Sequence, residues 1–233
     1  MLETVSTAIY RVFIQEDRWQ HWLSGLQATL MITTFALMIG LVSGFFLALV
    51  RVTYETHDRP NLVIRILNRI IKIYVTAIRG TPMVVQLMVM NFVILAASRN
   101  GILIASIAFG LNSSAYVSEV FRGGILSVDK GQMEAGRSVG LSYVQTMYKV
   151  ILPQAIKNSM PALGNEFITL LKETSIAGYV AIGDITHVAN VIRGRTFDPS
   201  PLFFVAAIYL ILVLILEYLV GLLEKSLRKG DQM

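Results

Sequence analysis

Apolar residues run along this 233-residue chain in five long stretches separated by shorter polar ones. Crossing about 30 Å of hydrocarbon takes about 20 mostly apolar residues at about 1.5 Å each. Five segments reach that length. The first, about 23–50, is the clearest, and the last, about 202–223, is nearly continuous in Ile, Leu, Val and Phe. The second, about 73–97, is interrupted by Arg79, Gly80 and Pro82; the third, about 102–126, carries Asn112, Tyr116 and Glu119; the fourth, about 150–182, is the most polar. The pattern predicts an all-α, polytopic membrane protein with five transmembrane helices, in a single domain over 1–233. Before the second stretch, "NLVIRILNRIIKIY" places Arg65, Asn68, Arg69 and Lys72 on one face of a helix, opposite an apolar face. That suits a helix lying on the membrane surface, or simply a positively flanked start to the second span. Gly40 and Gly44 form a GxxxG in the first span, which permits close helix contact with a dimer partner or within the chain.

Composition agrees with lipid as solvent: 55% of residues are hydrophobic, 15% are charged and mean hydropathy is +0.63. The absence of cysteine excludes disulfides and thiol chemistry. The N-terminus lacks the basic head, apolar core and small-residue cleavage site of a removable signal peptide, so the first span is expected to direct insertion. The net charge of +5 matters through its placement. Arg51, Arg59, Arg65, Arg69 and Lys72, then Arg122, Lys130, Arg137 and Lys149, then Lys225, Arg228 and Lys229 fall on one side of the five spans. Positive loops stay in the cytoplasm, so the N-terminus is expected outside and the C-terminus inside.

Ionisable side chains within spans are costly unless they face protein or water, which makes each a functional candidate. Asn112, Tyr116 and Glu119 share a face of the third span. Glu166 and Glu173 are seven residues apart on the fourth, about 20° apart in azimuth and about 10 Å in height. These acids either hold a cationic solute or pair with Lys172 or an arginine elsewhere in the bundle. Glu217 lies near the cytoplasmic end of its span, where it reaches the interface. In "IRGTPMVVQ", Pro82 lacks an amide hydrogen and clashes with the carbonyl of Ile78, so a kink is expected. Irregular backbone at membrane depth is tolerated where it lines a cavity, and Thr81 and Gln86 offer neutral hydrogen bonds there. A bend that only aids packing is the alternative.

No GxxxxGK[ST], HExxH or GxSxG occurs, and His21, His57 and His187 stand alone. No catalytic residue, metal site or bound cofactor is expected, and no nucleic-acid partner.

The polar stretch "EAGRSVGLSYVQTMYKVILPQA", expected on the cytoplasmic side between spans three and four, resembles the EAA loop of type I ABC importer permeases. That loop reads Glu-Ala-Ala, three residues, Gly, nine residues, Ile, one residue, Leu-Pro. Glu134, Ala135, Gly140, Leu152 and Pro153 match; Gly136 replaces the second alanine and Val150 the isoleucine. "RGTPMVVQ", "NSSAYVSEVFRGGI", "DKGQMEAGRSVGLS" and "LGNEFITLLKETSIAG" extend the resemblance to the polar amino acid branch of that family, with its core over about 23–224.

The resemblance implies a permease in a bacterial inner membrane that dimerises with itself or a similar permease. It implies two ATP-binding cassette subunits beneath, which carry the ATP and Mg, and an extracytoplasmic amino-acid-binding protein above. A coupling helix would start at Glu134 and include Ala135, Gly136 and Arg137, with Gly140 ending it, Leu141 plugging an apolar pocket and Pro153 stopping the next turn before span four. The outer segment "GDITHVANVIRGRTFDPSP" would help dock the binding protein. Substrate-contacting roles carry over to Thr81, Gln86, Glu119, Glu166 and Glu173. The acids favour a cationic amino acid (arginine, lysine or histidine), with glutamine and cystine as alternatives. A stand-alone secondary carrier or channel, and a non-transporting adaptor, are the competing classes.

Overall fold

In the computed structural model, residues 2–57 and 59–229 are described, with side chains over 6–57 and 59–227; the side chains of Arg228 and Lys229 lie outside the described set. Among the described residues the secondary structure is entirely helical. The main elements are α1 (Leu2–Ile9), α2 (Arg18–Thr56), α3 (Leu62–Arg79), α4 (Met83–Val89), α5 (Gly101–Leu126), α6 (Lys130–Ser138), α7 (Tyr143–Thr146), α8 (Leu152–Glu173), α9 (Ile185–Thr196) and α10 (Ser200–Lys229). Three helical segments, within 6–56, 101–126 and 200–227, are long and apolar enough to cross a bilayer, and up to five if each of two bent helix pairs is one span.

Local chemistry explains the boundaries. The Asn61 side chain caps α3 by accepting from the Ile64 amide at 2.9 Å. The helix then runs unbroken to Arg79, so the expected division near Ile73 between a surface helix and a second span is absent. Apolar and basic positions alternate with helical period across that point, and nothing there breaks the backbone. The break comes at Gly80–Pro82: Pro82 is extended (φ −64°, ψ 137°) and its carbonyl receives the Val85 and Gln86 amides at 3.1 and 3.2 Å, starting α4. The expected kink is therefore a helix end and a new start.

Two sets of packed residues can each be described by themselves. One comprises 2–37, 82–110 and 168–217. Its core joins Val12, Trp22, Ile185, Ala189, Ile192 and Val205, with Trp22 Nε1 donating to the Val12 carbonyl at 3.0 Å. Asp184, fully buried, caps α9 by accepting from the Thr186 and His187 amides at 3.0 and 2.9 Å. The other comprises the described residues of 38–81, 111–167 and 218–229. Here Gly40 and Gly44 of α2 meet α5: a Cβ at Gly40 would lie 2.8 Å from Ser113 Oγ and one at Gly44 2.7 Å from Val117 Cγ1. The GxxxG is thus used inside the chain. Ile71 and Val75 of α3 pack on Ala115 of α5, and Tyr74 Oη donates to the Leu111 carbonyl at 2.6 Å. Much of α10 leaves its apolar side chains exposed, among them Leu210, Ile211, Leu214 and Ile215. A surface of that kind belongs in lipid.

Candidate solute path and coupling site

The structure surrounds Glu119 with cations. Its Oε1 accepts from Arg51 at 2.6 Å, its Oε2 from Arg122 Nε at 3.0 Å, and Arg79 stands 3.7 Å away with its guanidinium over the Tyr116 ring, 5.3 Å from the centroid. Arg122 also reaches Glu55 at 3.3 Å. Arg51 is only 11% exposed and Glu119 24%, so their charge-assisted bond is among the stronger polar contacts of α2 with α5. One signal of this cluster was legible in the chain, the i,i+3 spacing of Glu119 and Arg122. The partners Arg51 and Arg79 come from other helices, and no sequence spacing reveals them.

Glu166 differs. It is half-buried on α8, and the Ser113 hydroxyl of α5 donates to it at 2.9 Å. No cation pairs with Glu166 among the described residues, so Lys172 does not neutralise it. Glu173, the last residue of α8, is half-buried in the other packed set and retains helical spacing from Glu166. Thr81 is exposed and turns its hydroxyl back to the Ala77 carbonyl at 2.9 Å, closing the end of α3, while Gln86 is half-buried on α4.

The EAA-like residues build a compact polar corner. Asp129 caps α6, accepting from the Gly131 amide at 2.6 Å. Glu134, Ala135 and Arg137 are exposed on α6, and Gly136 is buried against Thr146. After Ser138, Gly140 takes φ +87°, and the Leu141 and Gly140 amides return to the Gly136 and Arg137 carbonyls at 3.2 and 3.1 Å. This is a Schellman ending, which needs the left-handed residue a glycine supplies. Leu141 is half-buried, and the more exposed apolar side chain is Val139, at 77%. A reciprocal capping box between Ser142 and Gln145 then starts α7.

Pro153 does not stop a turn. Helical backbone continues from Tyr143 through a wide turn at Met147–Ile151 into α8, with the Leu152 amide bonded to the Met147 carbonyl. Pro153 is exposed directly after that wide turn, where the shifted bonding of the backbone accommodates its missing amide. On the segment proposed for docking, α9 ends at Phe197, which is left-handed (φ 52°) and 93% exposed.

Long helices with exposed apolar side chains and acids held among helices define an integral membrane protein. The chain belongs to the family of binding-protein-dependent transport system inner membrane components, whose model matches residues 61–229. It is thus a permease subunit of an ABC importer. It is 38% identical to the arginine transport system permease protein ArtQ of Bacillus subtilis (strain 168), over 90% of this chain and 93% of that protein. It is 34% identical to the L-cystine transport system permease protein TcyB of the same organism, over 96% and 94%. Among solved structures, an amino acid ABC transporter with histidines matches with TM-score 0.79 at 37% identity, covering 89% of this chain and 94% of that one. The MetNI methionine ABC transporter shares the fold, with TM-score 0.80 at 20% identity over 92% and 99%.

Proposed function

We propose that this chain is the permease of an ATP-driven importer of a cationic amino acid (arginine, lysine or histidine), in the inner membrane of a bacterium. Five spans, counting each bent pair as one, carry the N-terminus outside and the C-terminus in the cytoplasm. Glu166 carries the substrate reading: a half-buried carboxylate on a spanning helix, bonded to a neutral hydroxyl and unpaired with any cation among the described residues. A charge so placed is costly unless a ligand completes it, and a cationic side chain does so. By the family resemblance the substrate-contacting role extends to Glu173, Thr81 and Gln86, and to Glu119 with its arginine cluster.

The chain contributes passage and two conformational states, while ATP and Mg act on partner ATPases. Two permease subunits and two ATPases assemble, with an amino-acid-binding protein docking outside near α9 and Phe197. The α6 corner, from Glu134 to Leu141, seats in the ATPase. Support comes from its exposed Glu134 and Arg137, its rigid Schellman end and the exposed Val139 beside it.

The test is the complex in nanodiscs, with ATPase activity measured against binding proteins loaded with arginine, lysine, histidine, glutamine or cystine. Stimulation by a cationic cargo is expected. No stimulation by any loaded protein would sink the class, and stimulation by glutamine or cystine alone would sink the cationic assignment. Gly140→Trp with Glu134→Lys is expected to leave the subunit in the membrane while separating ATP hydrolysis from uptake; normal uptake by that variant would defeat the coupling role.

A further inference from the structure

While Glu134 and Arg137 are exposed on α6, Met133, immediately before them, is half-buried. It packs against a buried cluster made by Val52 of α2, Ile125 of α5, Ile151 of the wide turn and Ala155 of α8. α7 makes a separate contact with the same end of α2. The hydroxyls of Tyr143 and Thr56 share a hydrogen bond of 2.8 Å, and the Tyr143 ring meets the His57 ring edge-on, with centroids 4.7 Å apart. Glu55, one residue earlier on α2, reaches Arg122 of α5 at 3.3 Å.

The weight of these contacts follows from how the chain is joined. The corner is linked to α5 by residues 127–129 and runs into α8 through the wide turn at Met147–Ile151. The end of α2 has no such link, since Thr56 and Tyr143 are 87 residues apart in sequence. A wide turn within a helix often marks a hinge. The backbone therefore ties a displaced α6 loosely to α8 and not at all to α2. Packed side chains pass displacement on, because close-packed contacts compress very little, and Met133 from α6 and Tyr143 from α7 supply them.

We propose that Met133 and Tyr143 are positioning residues that lock the end of α2 to the α6 corner, so that force arriving at α6 moves α2 together with α5 and α8. Neither stands at a matched position of the EAA pattern: Met133 precedes its glutamate, and Tyr143 lies among the nine residues after its glycine. Nor does either hold the corner itself together. That is done by Gly136 packed against Thr146, the Asp129 cap of α6 and the Ser142–Gln145 capping box of α7. Loss of the lock therefore leaves α6 and α7 folded and able to seat, while the end of α2 no longer follows them. The inference rests on the corner seating in the ATPase, and it adds which helix end receives the force through side chains alone.

The full complex with its binding protein, in liposomes, would be assayed for ATP hydrolysed per solute taken up. The solute is whichever of arginine, lysine, histidine, glutamine or cystine stimulates the ATPase when loaded on the binding protein. Met133→Ala with Tyr143→Phe should keep the stimulated ATPase within about twofold of wild type and raise ATP hydrolysed per solute about threefold or more. Met133→Leu, which nearly conserves volume, should leave that ratio within about 1.5-fold of wild type. Tyr143→Phe alone keeps the ring, should raise the ratio about twofold, and serves if the double variant fails to assemble. The chain has no cysteine, so Tyr54→Cys with Lys130→Cys places one spin label on α2 and one on α6. Their distance within one subunit should be the same without nucleotide and with ATP in the wild type, and should change or broaden with ATP in Met133→Ala with Tyr143→Phe. An unchanged ratio in an assembled variant overturns the proposal, as does a wild-type label distance that changes on ATP binding. Normal uptake by Gly140→Trp with Glu134→Lys would instead defeat the coupling reading and this inference with it. Lost uptake there beside a normal ratio in Met133→Ala with Tyr143→Phe would defeat this inference alone.

Discussion

Gly136→Ala puts a methyl into the corner where α6 meets α7. The added Cβ would run into Thr146 Cγ2, with Thr146 Oγ1 at 3.0 Å and Cβ at 3.3 Å. Thr146 is fully buried and cannot swing away cheaply, because its hydroxyl donates to the Ser142 carbonyl at 3.0 Å. Overpacking of this kind costs about 1–3 kcal/mol. Replacing glycine inside a helix returns about 0.5–1 kcal/mol, which leaves a net loss of about 0.5–2 kcal/mol. Hydrogen–deuterium exchange of the α6 amides in the assembled complex reads local opening directly, and that loss corresponds to roughly two- to thirtyfold faster exchange. Thr146→Ser removes the obstructing methyl and keeps the hydroxyl bond. In the double variant the helix gain remains and the clash is relieved, so a double-mutant cycle should show favourable coupling of about 1–2 kcal/mol. Slower α6 exchange in Gly136→Ala alone, or no rescue by Thr146→Ser, would refute the argument.

Removing the Glu119 charge with Glu119→Gln leaves the poorly exposed Arg51 without its anion and Arg122 with Glu55 alone, and should lower stability by about 1.5–3 kcal/mol. Glu166→Gln keeps a hydrogen-bonding partner for Ser113 and should spare the melting temperature while weakening binding of a cationic cargo about tenfold; the reverse ranking of the two in thermal melts and binding titrations would contradict these roles. Gly140→Ala forces a side chain into φ +87° with nothing within 4 Å to clash, so its cost is backbone strain of about 1–2 kcal/mol, and Gly140→Asn should cost less in the same α6 exchange assay. Near α10, the Ser200 amide donates to Asp198 at 2.9 Å and that bond holds the carboxyl below its ordinary range. The stabilisation is present above the unfolded-state value and is lost as pH falls through the folded one, so exchange at Ser200 should lose its protection in acid, an effect absent from Asp198→Asn.

Periodicity alone determined the all-helical class and the approximate limits of α2, α5 and α10, because lipid demands continuous apolar runs with backbone bonds closed within each segment. It also marked the end of α6, since Gly140 and the neighbouring caps act through bonds only a few residues long, whereas the helix starts at Lys130, ahead of the expected Glu134, because Asp129 caps it there. The departure of Gly136 from the alanine of the EAA pattern was visible in the chain, but its reason was not: Thr146 becomes its neighbour only when α7 folds back on α6. The same holds for the acids. As letters, Glu119 and Glu166 were equivalent carboxylates in apolar spans. Tertiary packing gave Glu119 arginines from α2, α3 and its own helix, and gave Glu166 one serine hydroxyl. Local spacing reports which side chains share a helix face. Which charges find partners is decided by the faces of other helices, and those faces meet only in the folded chain.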